Sequence, residues 1–281
     1  MTKIGIIVNY TKDPLFVHLR EIIDWLLHHD CIPLIPDDTS ALMGDNTYAA
    51  DMNEMFSVET RFIIVLGGDG TILQIAGKAA IFGIPILGIN LGTLGYLTDA
   101  GYDEGFASLE KVLAGDYYTE RRMLLSAESP SIPAPTEPLA LNEFCVSKGA
   151  ISRMIVFDIY LNNLYINTYR ADGVIIATPT GSSAYNLSAG GPILKSDGDM
   201  VAITPICPHD IFTRSCIVSG EDVIRVQIVS GENILFSVDG RPLICIEARE
   251  YVDIKASKHY LNIIKTNGLS FFDILRRKMS R

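Results

Sequence analysis

Five consecutive residues, Gly67-Gly68-Asp69-Gly70-Thr71, hold the densest chemical signal in the sequence. They follow the unbroken apolar run Phe62 to Leu66 and precede a stretch, Thr71 to Ala80, that reads as a helix. Glycines let the main chain turn sharply and bring N–H groups against an anion. A helix start adds a partial positive charge there. The bland alternative is a tight strand-to-helix turn with Asp69 as N-cap. Position favours the anion, because ligands in open α/β sheets bind at the carboxyl ends of strands. A carboxylate beside phosphates is repulsive unless it binds a metal or takes a proton, and at an ordinary pKa of about 3.9 it is ionised at neutral pH. Both roles suit phosphoryl transfer. Asp69 would be the base or orienter for an attacking hydroxyl, with Mg²⁺ neutralising the phosphates. No GxxxxGK[ST] occurs, which excludes a P-loop NTPase. Leu73 stands where the third glycine of a GxGxxG would be, which disfavours a hydride-transferring dehydrogenase.

A second, longer signal runs from Arg170-Ala-Asp172-Gly173 through Thr178-Pro-Thr-Gly-Ser-Ser-Ala-Tyr-Asn-Leu-Ser188 to Ile193. A short strand, Val174 to Ala177, leads into a run of small hydroxyl residues. Such a main-chain and hydroxyl surface suits ribose hydroxyls and the amide and ring nitrogens of a dinucleotide. Tyr185 is placed to stack on a base or, more ordinarily, to fill a core. Asn142-Glu143 follows an apolar stretch, Leu139 to Leu141, and reads either as a holder of ribose hydroxyls or as solvated loop.

The elements that must position these residues fall into two rhythms. Up to about residue 120, strand and helix alternate: Ile4 to Val8, a helix introduced by Asp13-Pro14 as N-cap and first helical residue, Ile32 to Ile35, Phe62 to Leu66, Thr71 to Ala80, Ile84 to Ile89, and Glu104 to Leu113 stopped by Gly115. Leu15, Leu19, Ile22, Ile23, Leu26 and Leu27 give the first helix its apolar face. Beyond that point strand follows strand. Met154 to Leu161 and Leu164 to Tyr169 form a hairpin about Asn162-Asn163, and further strands end with Tyr251 to Ala256. Ser270 to Lys278 is again amphipathic, with Ser270 as N-cap. The expectation is an α/β N-terminal domain with a Rossmann-like parallel sheet over 1–120, carrying GGDGT. An all-β C-terminal domain over 121–257 carries TPTGSSAY. A tail over 258–281 returns to the first domain.

Composition narrows the partners. Lys and Arg total 23 against 33 Asp and Glu, a formal net charge of −10 in 281 residues. An acidic surface repels a phosphate backbone, which argues against a general nucleic-acid binder but not against small anions held by backbone N–H groups. Five scattered cysteines without a CxxC fit a reducing cytoplasm. The N-terminal apolar run Ile4 to Val8 is too short for an export signal. The two uncharged stretches, Ala79 to Thr98 and Gly173 to Leu194, are broken by Gly, Pro, Thr and Asn, unlike a membrane span.

The motifs taken together resemble the ATP-NAD kinases of the bacterial type. GGDGT at 67–71, Asn90-Leu-Gly-Thr-Leu-Gly-Tyr96, Asn142-Glu143, Asp172-Gly173, TPTGSSAYNLSAGGPI at 178–193 and Thr204-Pro-Ile-Cys-Pro-His209 follow that family's order and approximate spacing. The resemblance implies a two-domain enzyme with its active site between the domains. That enzyme moves the terminal phosphate of ATP, or of another triphosphate, to the 2′-hydroxyl of the adenosine ribose of NAD, giving NADP. It implies Asp69 as general base and Gly70 as its nucleotide-contacting neighbour. Asn142, Glu143, Arg170, Asp172, Ser183, Ala184, Tyr185, Asn186, Leu187 and Ser188 match dinucleotide contacts. Arg153 and Arg241 match more variable contact positions, where a solvated surface charge is the alternative. Ser183 stands where Thr is usual and Asn186 where Ser is usual, each keeping a small polar side chain. It further implies a divalent cation, Mg²⁺, with ligands unassigned, and a cytoplasmic homodimer or homotetramer without nucleic-acid or membrane partners. GGDGT alone is shared with diacylglycerol-type and sphingoid lipid kinases, which would need an apolar pocket or a membrane-facing basic patch. A non-catalytic dinucleotide-binding module would have lost the acid at position 69.

Overall fold

The computed structural model describes residues 1–92, 95–149, 153–210 and 213–279. Thr93 and Leu94 of the Asn90–Tyr96 segment, and Ser280 and Arg281 of the tail, lie outside the described residues. The chain divides into two compact units, residues 1–121 with 261–281 and residues 122–260.

The first unit is α/β. Strands β1 (Thr2–Val8), β2 (Cys31–Pro36), β3 (Ala49–Ala50), β4 (Thr60–Gly67), β5 (Ile86–Asn90) and β6 (Ala100–Gly101) alternate with helices α1 (Val17–His28), α2 (Asp37–Met43), α3 (Met52–Met55), α4 (Asp69–Phe82) and α5 (Tyr102–Ala114). The spatial order is β3-β2-β1-β4-β5, with every pair parallel. Ile63, Ile64, Val65 and Leu66 of β4 are fully buried, which is why that strand reads as a continuous apolar run. From β1 the chain moves outward to β2, and from β4 it moves outward the other way to β5. The carboxyl ends of β1 and β4 therefore border the switch point of the sheet, where such folds bind ligands.

Among the described residues the second unit is all-β apart from the short helical stretch 181–188. Its strands begin within β7 (Tyr118–Glu128) and continue with β8 (Leu139–Ala140), β9 (Glu143–Lys148), β10 (Ile155–Leu161), β11 (Leu164–Ala171) and β12 (Gly173–Ala177). After the helical turn α6 (Tyr185–Ser188) come β13 (Met200–Ile206), β14 (Cys216–Ser219), β15 (Ile224–Ser230), β16 (Ile234–Val238), β17 (Arg241–Ile246) and the start of β18 (Tyr251–Lys265). One sheet runs β14-β13-β12-β9-β16-β17, and β11-β10-β15-β18 runs in the other. Both are antiparallel throughout these runs. Their inner faces share one core, in which Phe144 stacks on Phe236 at 5.1 Å and Phe157 on Tyr169 at 5.5 Å. The hairpin turn has both Asn162 and Asn163 at positive φ, 51° and 66°, as a two-residue turn between twisted strands requires. The last helix, α7 (Phe271–Met279), is introduced by Ser270, whose side chain exchanges hydrogen bonds with Asp273.

Three local expectations change. The first helix starts at Val17, not Pro14, and Leu15 is 77% exposed outside it. Asp13 still caps the helix, from a distance. Its buried carboxylate accepts the N–H groups of Val17 (2.9 Å), His18 (3.4 Å) and Leu19 (3.0 Å). The last strand does not stop at Ala256 but runs on to Lys265, because Leu261, Ile263 and Ile264 continue the buried pattern past the polar Ser257-Lys258-His259. Glu143 opens β9 and is only 4% exposed, so it is not a solvated loop residue.

Asp13→Ala strands the three N–H groups of α1 and is expected to lower unfolding free energy by about 1–3 kcal/mol. Leu15→Ala is expected to change it by less than about 0.5 kcal/mol. Urea unfolding of the two variants checks both.

Candidate active site

In the first unit the glycine turn is built for close approach. A Cβ on Gly67 would lie 2.4 Å from the Thr71 Oγ1, so only glycine lets β4 run into α4 here. A Cβ on Gly70 would meet nothing within 4 Å, so the fold itself does not demand glycine there and the surface is left open. Gly68 is the N-cap residue and Asp69 the first residue of α4. The Asp69 side chain does not cap its own helix. Its Oδ2 accepts the Tyr96 N–H at 2.8 Å and its Oδ1 accepts the Leu97 N–H at 3.0 Å. Gly95 is required for this arrangement, since a Cβ there would stand 1.9 Å from Asp69 Oδ1. A carboxylate offers about four acceptor sites, so lone pairs remain for a substrate hydroxyl.

Lys12 is a residue that motif reading passed over. It follows β1 by four positions, at the switch point, and its Nζ lies 3.0 Å from the position of a Cβ on Gly68 and 3.7 Å from that of one on Gly92. Among the described residues the Lys12 ammonium has no ion-pair or hydrogen-bond partner. A cation without a counter-ion beside a glycine turn suits an anionic ligand. The only sequence signal was a lysine just after an apolar strand.

In the second unit, the Asn142-Glu143 pair and the TPTGSS loop are brought together. Thr178 N–H donates to the Asn142 carbonyl at 2.9 Å, and the Thr178 hydroxyl donates to the Leu141 carbonyl at 2.6 Å. Gly181 is obligatory, because a Cβ would stand 2.0 Å from the Asn142 carbonyl oxygen. Asp239, in the Asp239-Gly240 hairpin turn, accepts the N–H groups of Leu141 (3.1 Å), Asn142 (2.7 Å) and Glu143 (3.2 Å). Two buried polar atoms here lack any partner, Glu143 Oε2 and Thr180 Oγ1. Burial pushes the Glu143 carboxyl up to about 7, and the nearby Asp239 charge adds to the rise. Burial also raises Asp239, opposed by its three N–H bonds and by the Arg241 charge. Orphaned buried acceptors and donors of this kind suit ligand hydroxyls.

Arg170 and Asp172 lie at the other end of β12. The Asp172 carboxylate pairs with Lys148 at 3.0 Å, and exposed Arg170 is joined through its carbonyl to the His209 N–H at 2.8 Å. The Tyr185 ring is 45% exposed, and its hydroxyl feels the charges of both Glu143 and Asp172, although burial is the main cause of its raised pKa. Leu187 and Ser188 are exposed beside it, and Ala184 is half-buried. The Ser183 hydroxyl donates to the Thr180 carbonyl at 3.3 Å. Asn186 is fully buried, and its amide is used internally, donating to Ser182 O (3.1 Å) and Pro192 O (2.9 Å) and accepting from Thr204 (2.7 Å). These bonds fix the shape of the loop. Arg241 opens β17 next to the Asp239 turn, whereas exposed Arg153 lines a separate cleft of ≈ 750 Å³ with Met154 and Ser230 to Asn233.

Comparison with known proteins gives this geometry a family. Residues 4–117 match the ATP-NAD kinase N-terminal domain and residues 141–266 the ATP-NAD kinase C-terminal domain. The chain belongs to the ATP-NAD kinase family. It is 43% identical over 284 residues to the NAD kinase of Thermoanaerobacter sp. (strain X514), covering 100% of this chain and 99% of that protein. Among solved structures it is similar to an NAD kinase from Archaeoglobus fulgidus in complex with ATP. There the TM-score is 0.77, with 25% identity over 99% of each chain. The fold also matches yeast NADH kinase complexed with NADH, at TM-score 0.84 and 23% identity, over 98% of this chain and 86% of that one.

The Glu143 carboxyl yields a pH test. Below its ordinary pKa of 4.5 it is protonated in folded and unfolded chains alike. Above that, the unfolded chain ionises while the folded one keeps the proton to about 7. Its stabilising contribution is therefore full at low pH and is lost as pH rises through about 7. Relative to Glu143→Gln, the ligand-free wild type is expected to lose on the order of 2 kcal/mol between pH 5 and pH 8. Thermal or urea unfolding of both proteins at the two pH values measures this difference.

Proposed function

We propose that this chain is an NAD kinase that transfers the terminal phosphate of ATP to the 2′-hydroxyl of the adenosine ribose of NAD, giving NADP. The observation that carries the reading is Asp69. It is a carboxylate fixed by two backbone N–H groups at the carboxyl end of β4, with the Lys12 ammonium, unpaired among the described residues, over the same turn. Asp69 orients the ribose hydroxyl and accepts its proton as the phosphoryl group is transferred. Gly70 lets the nucleotide approach the backbone. Lys12 attracts the donor's phosphates and stabilises the charge that builds on the leaving oxygen.

NAD is held by the second unit. The orphaned Glu143 Oε2, the Asn142 side chain, Thr180 and the backbone and hydroxyl groups of the Ser183 to Ser188 turn are its polar contacts, Tyr185 the stacking surface, and Arg170, Asp172 and Arg241 further contacts. Arg153, in its own cleft, would meet the dinucleotide apart from the others. Among the described residues no three His, Cys, Asp or Glu side chains converge on a metal position. A Mg²⁺ serving the reaction would arrive with the triphosphate and take its oxygen ligands from phosphate and water. Bound there, it would supply charge neutralisation of the triphosphate. The chain is further proposed to work as a cytoplasmic homodimer or homotetramer. Its five cysteines are all free, and none of its described helices is long and apolar enough to cross a membrane.

The direct test is incubation of the purified protein with NAD, ATP and Mg²⁺, followed by an NADP-specific dehydrogenase assay and ³¹P NMR of the product. NADP carrying a 2′-phosphate is expected, and ATP consumption without NADP would contradict the reading. Lys12→Met removes one charge-assisted contact, so KM for ATP is expected to rise about tenfold or more while KM for NAD stays nearly constant. Asp172→Ala frees Lys148 at a half-exposed site. It is expected to raise KM for NAD several-fold with little change in melting temperature, and steady-state kinetics at varied NAD reads the result.

A further inference from the structure

We propose that Lys265, Thr266 and Asn267, far from the catalytic motif in sequence, are positioning residues for the reaction at Asp69. The inference rests on the NAD kinase reading and extends it to the C-terminal segment.

The backbone that holds Asp69 is the stretch Gly95-Tyr96-Leu97. What holds that stretch in turn is Thr98-Asp99, and both of these residues are 1% exposed. The Thr98 hydroxyl accepts the Gly95 N–H at 2.9 Å. The Thr98 carbonyl accepts the buried Lys265 Nζ at 2.8 Å. The Asp99 carboxylate accepts four bonds. Thr266 supplies two, its N–H at 3.0 Å and its hydroxyl at 2.6 Å, while Asn267 Nδ2 donates at 3.0 Å and Ser108 Oγ at 3.2 Å. The Asp99 carbonyl takes a further bond from Asn267 Nδ2.

A buried carboxylate and a buried ammonium are costly unless fully engaged. Here every described bond of Asp99's carboxylate goes to Ser108 or to the 266–267 segment. A fold that needed only to anchor its last helix could do so with apolar contacts. This one places charge-assisted bonds on the two residues that directly follow the Asp69-binding N–H groups. The backbone alone gives Asp99 one strand-like bond, to the Gly88 carbonyl at 2.8 Å. The segment from Lys265 to Asn267 thus fixes the direction of the Tyr96 and Leu97 N–H groups, and through them the attitude of the Asp69 carboxylate. Misplacing a catalytic group by about 1 Å can lower turnover by about 100-fold.

The test is a double-mutant cycle in full-length protein at saturating NAD and ATP. Thr266→Val removes the hydroxyl bond to Asp99 while keeping side-chain volume, Thr266→Ser keeps the hydroxyl, and each is combined with Asp69→Asn. Expected is a fall in kcat of about tenfold for Thr266→Val, with both KM values within about twofold and near wild-type kcat for Thr266→Ser. In the Asp69→Asn background Thr266→Val is expected to change kcat by less than about twofold, because the route it acts through is already cut. Equal losses in both backgrounds, or an unchanged kcat with only a lower melting temperature, would overturn the inference. If Thr266→Val does not fold, Lys265→Met runs the same cycle. Failure of both to fold would make the segment a folding element and also overturn the role. A wild type that makes no NADP contradicts the NAD kinase reading itself. An active wild type with additive losses contradicts this inference alone.

Discussion

Two backbone N–H groups on one carboxylate set the terms for the rest of the catalytic unit. The Tyr96 and Leu97 amides grip both oxygens of Asp69. That grip explains several features which otherwise look independent. Gly95 must lack a side chain, because any Cβ would collide with Asp69. Gly88 must lack one too, because a Cβ would stand 3.0 Å from the Thr98 Cα. The interaction also separates two jobs that one acid could confuse. Helix α4 is capped by the extended Gly68 without side-chain help, so Asp69 is free of the structural duty that its sequence position suggests.

The second unit solves a different problem, that of presenting polar atoms to a ligand without letting the fold consume them. Asp239 takes up the three N–H groups at 141–143, and Thr178 takes up the Leu141 and Asn142 carbonyls, so the backbone there is satisfied by its neighbours. Glu143 Oε2 and Thr180 Oγ1 are left buried and unpaired. Burial without a partner destabilises the empty protein and is tolerated where a ligand later supplies the missing bond. Asn186 illustrates the opposite economy. Its position within the motif suggests a ligand contact, yet its amide ties Ser182, Pro192 and Thr204 together and so fixes the shape of the turn that carries Tyr185.

The parts legible in the sequence were those carried by local pattern. The β4 run, the glycine turn and α4 are contiguous, and an apolar run ending in glycines leaves few alternatives. The hairpin at Asn162-Asn163 was equally readable, because its turn residues adopt the positive φ that their types allow. What escaped was set by contacts distant in sequence. The carboxylate grip on Asp69 comes from residues 27 and 28 positions away, and the bonds on Asp99 from 167 and 168 positions away. Glu143 looks polar and loop-like beside Asn142, and only the pairing of β9 with β12 and β16 shows it buried. Asp13 caps α1 without adjoining it, since a carboxylate can reach over an intervening turn, which local pattern does not reveal. The polar Ser257-Lys258-His259 hid the continuation of β18 for a similar reason: strand identity there follows from what lies on either side of it.

The central claim, that Asp69 acts chemically and not as scaffolding, is tested most directly by the single-turnover rate of Asp69→Asn measured alongside its NAD affinity and melting temperature. Asparagine would turn an N–H donor toward one of the two amides that now face carboxylate oxygens, so a modest loss of stability, about 1–2 kcal/mol, is expected. The account predicts that the variant still binds NAD and that phosphoryl transfer slows by at least about 100-fold, the range typical of a lost general base. A folded variant that transfers phosphate at near wild-type rate would contradict it, and would leave the grip of Tyr96 and Leu97 on Asp69 as structure alone.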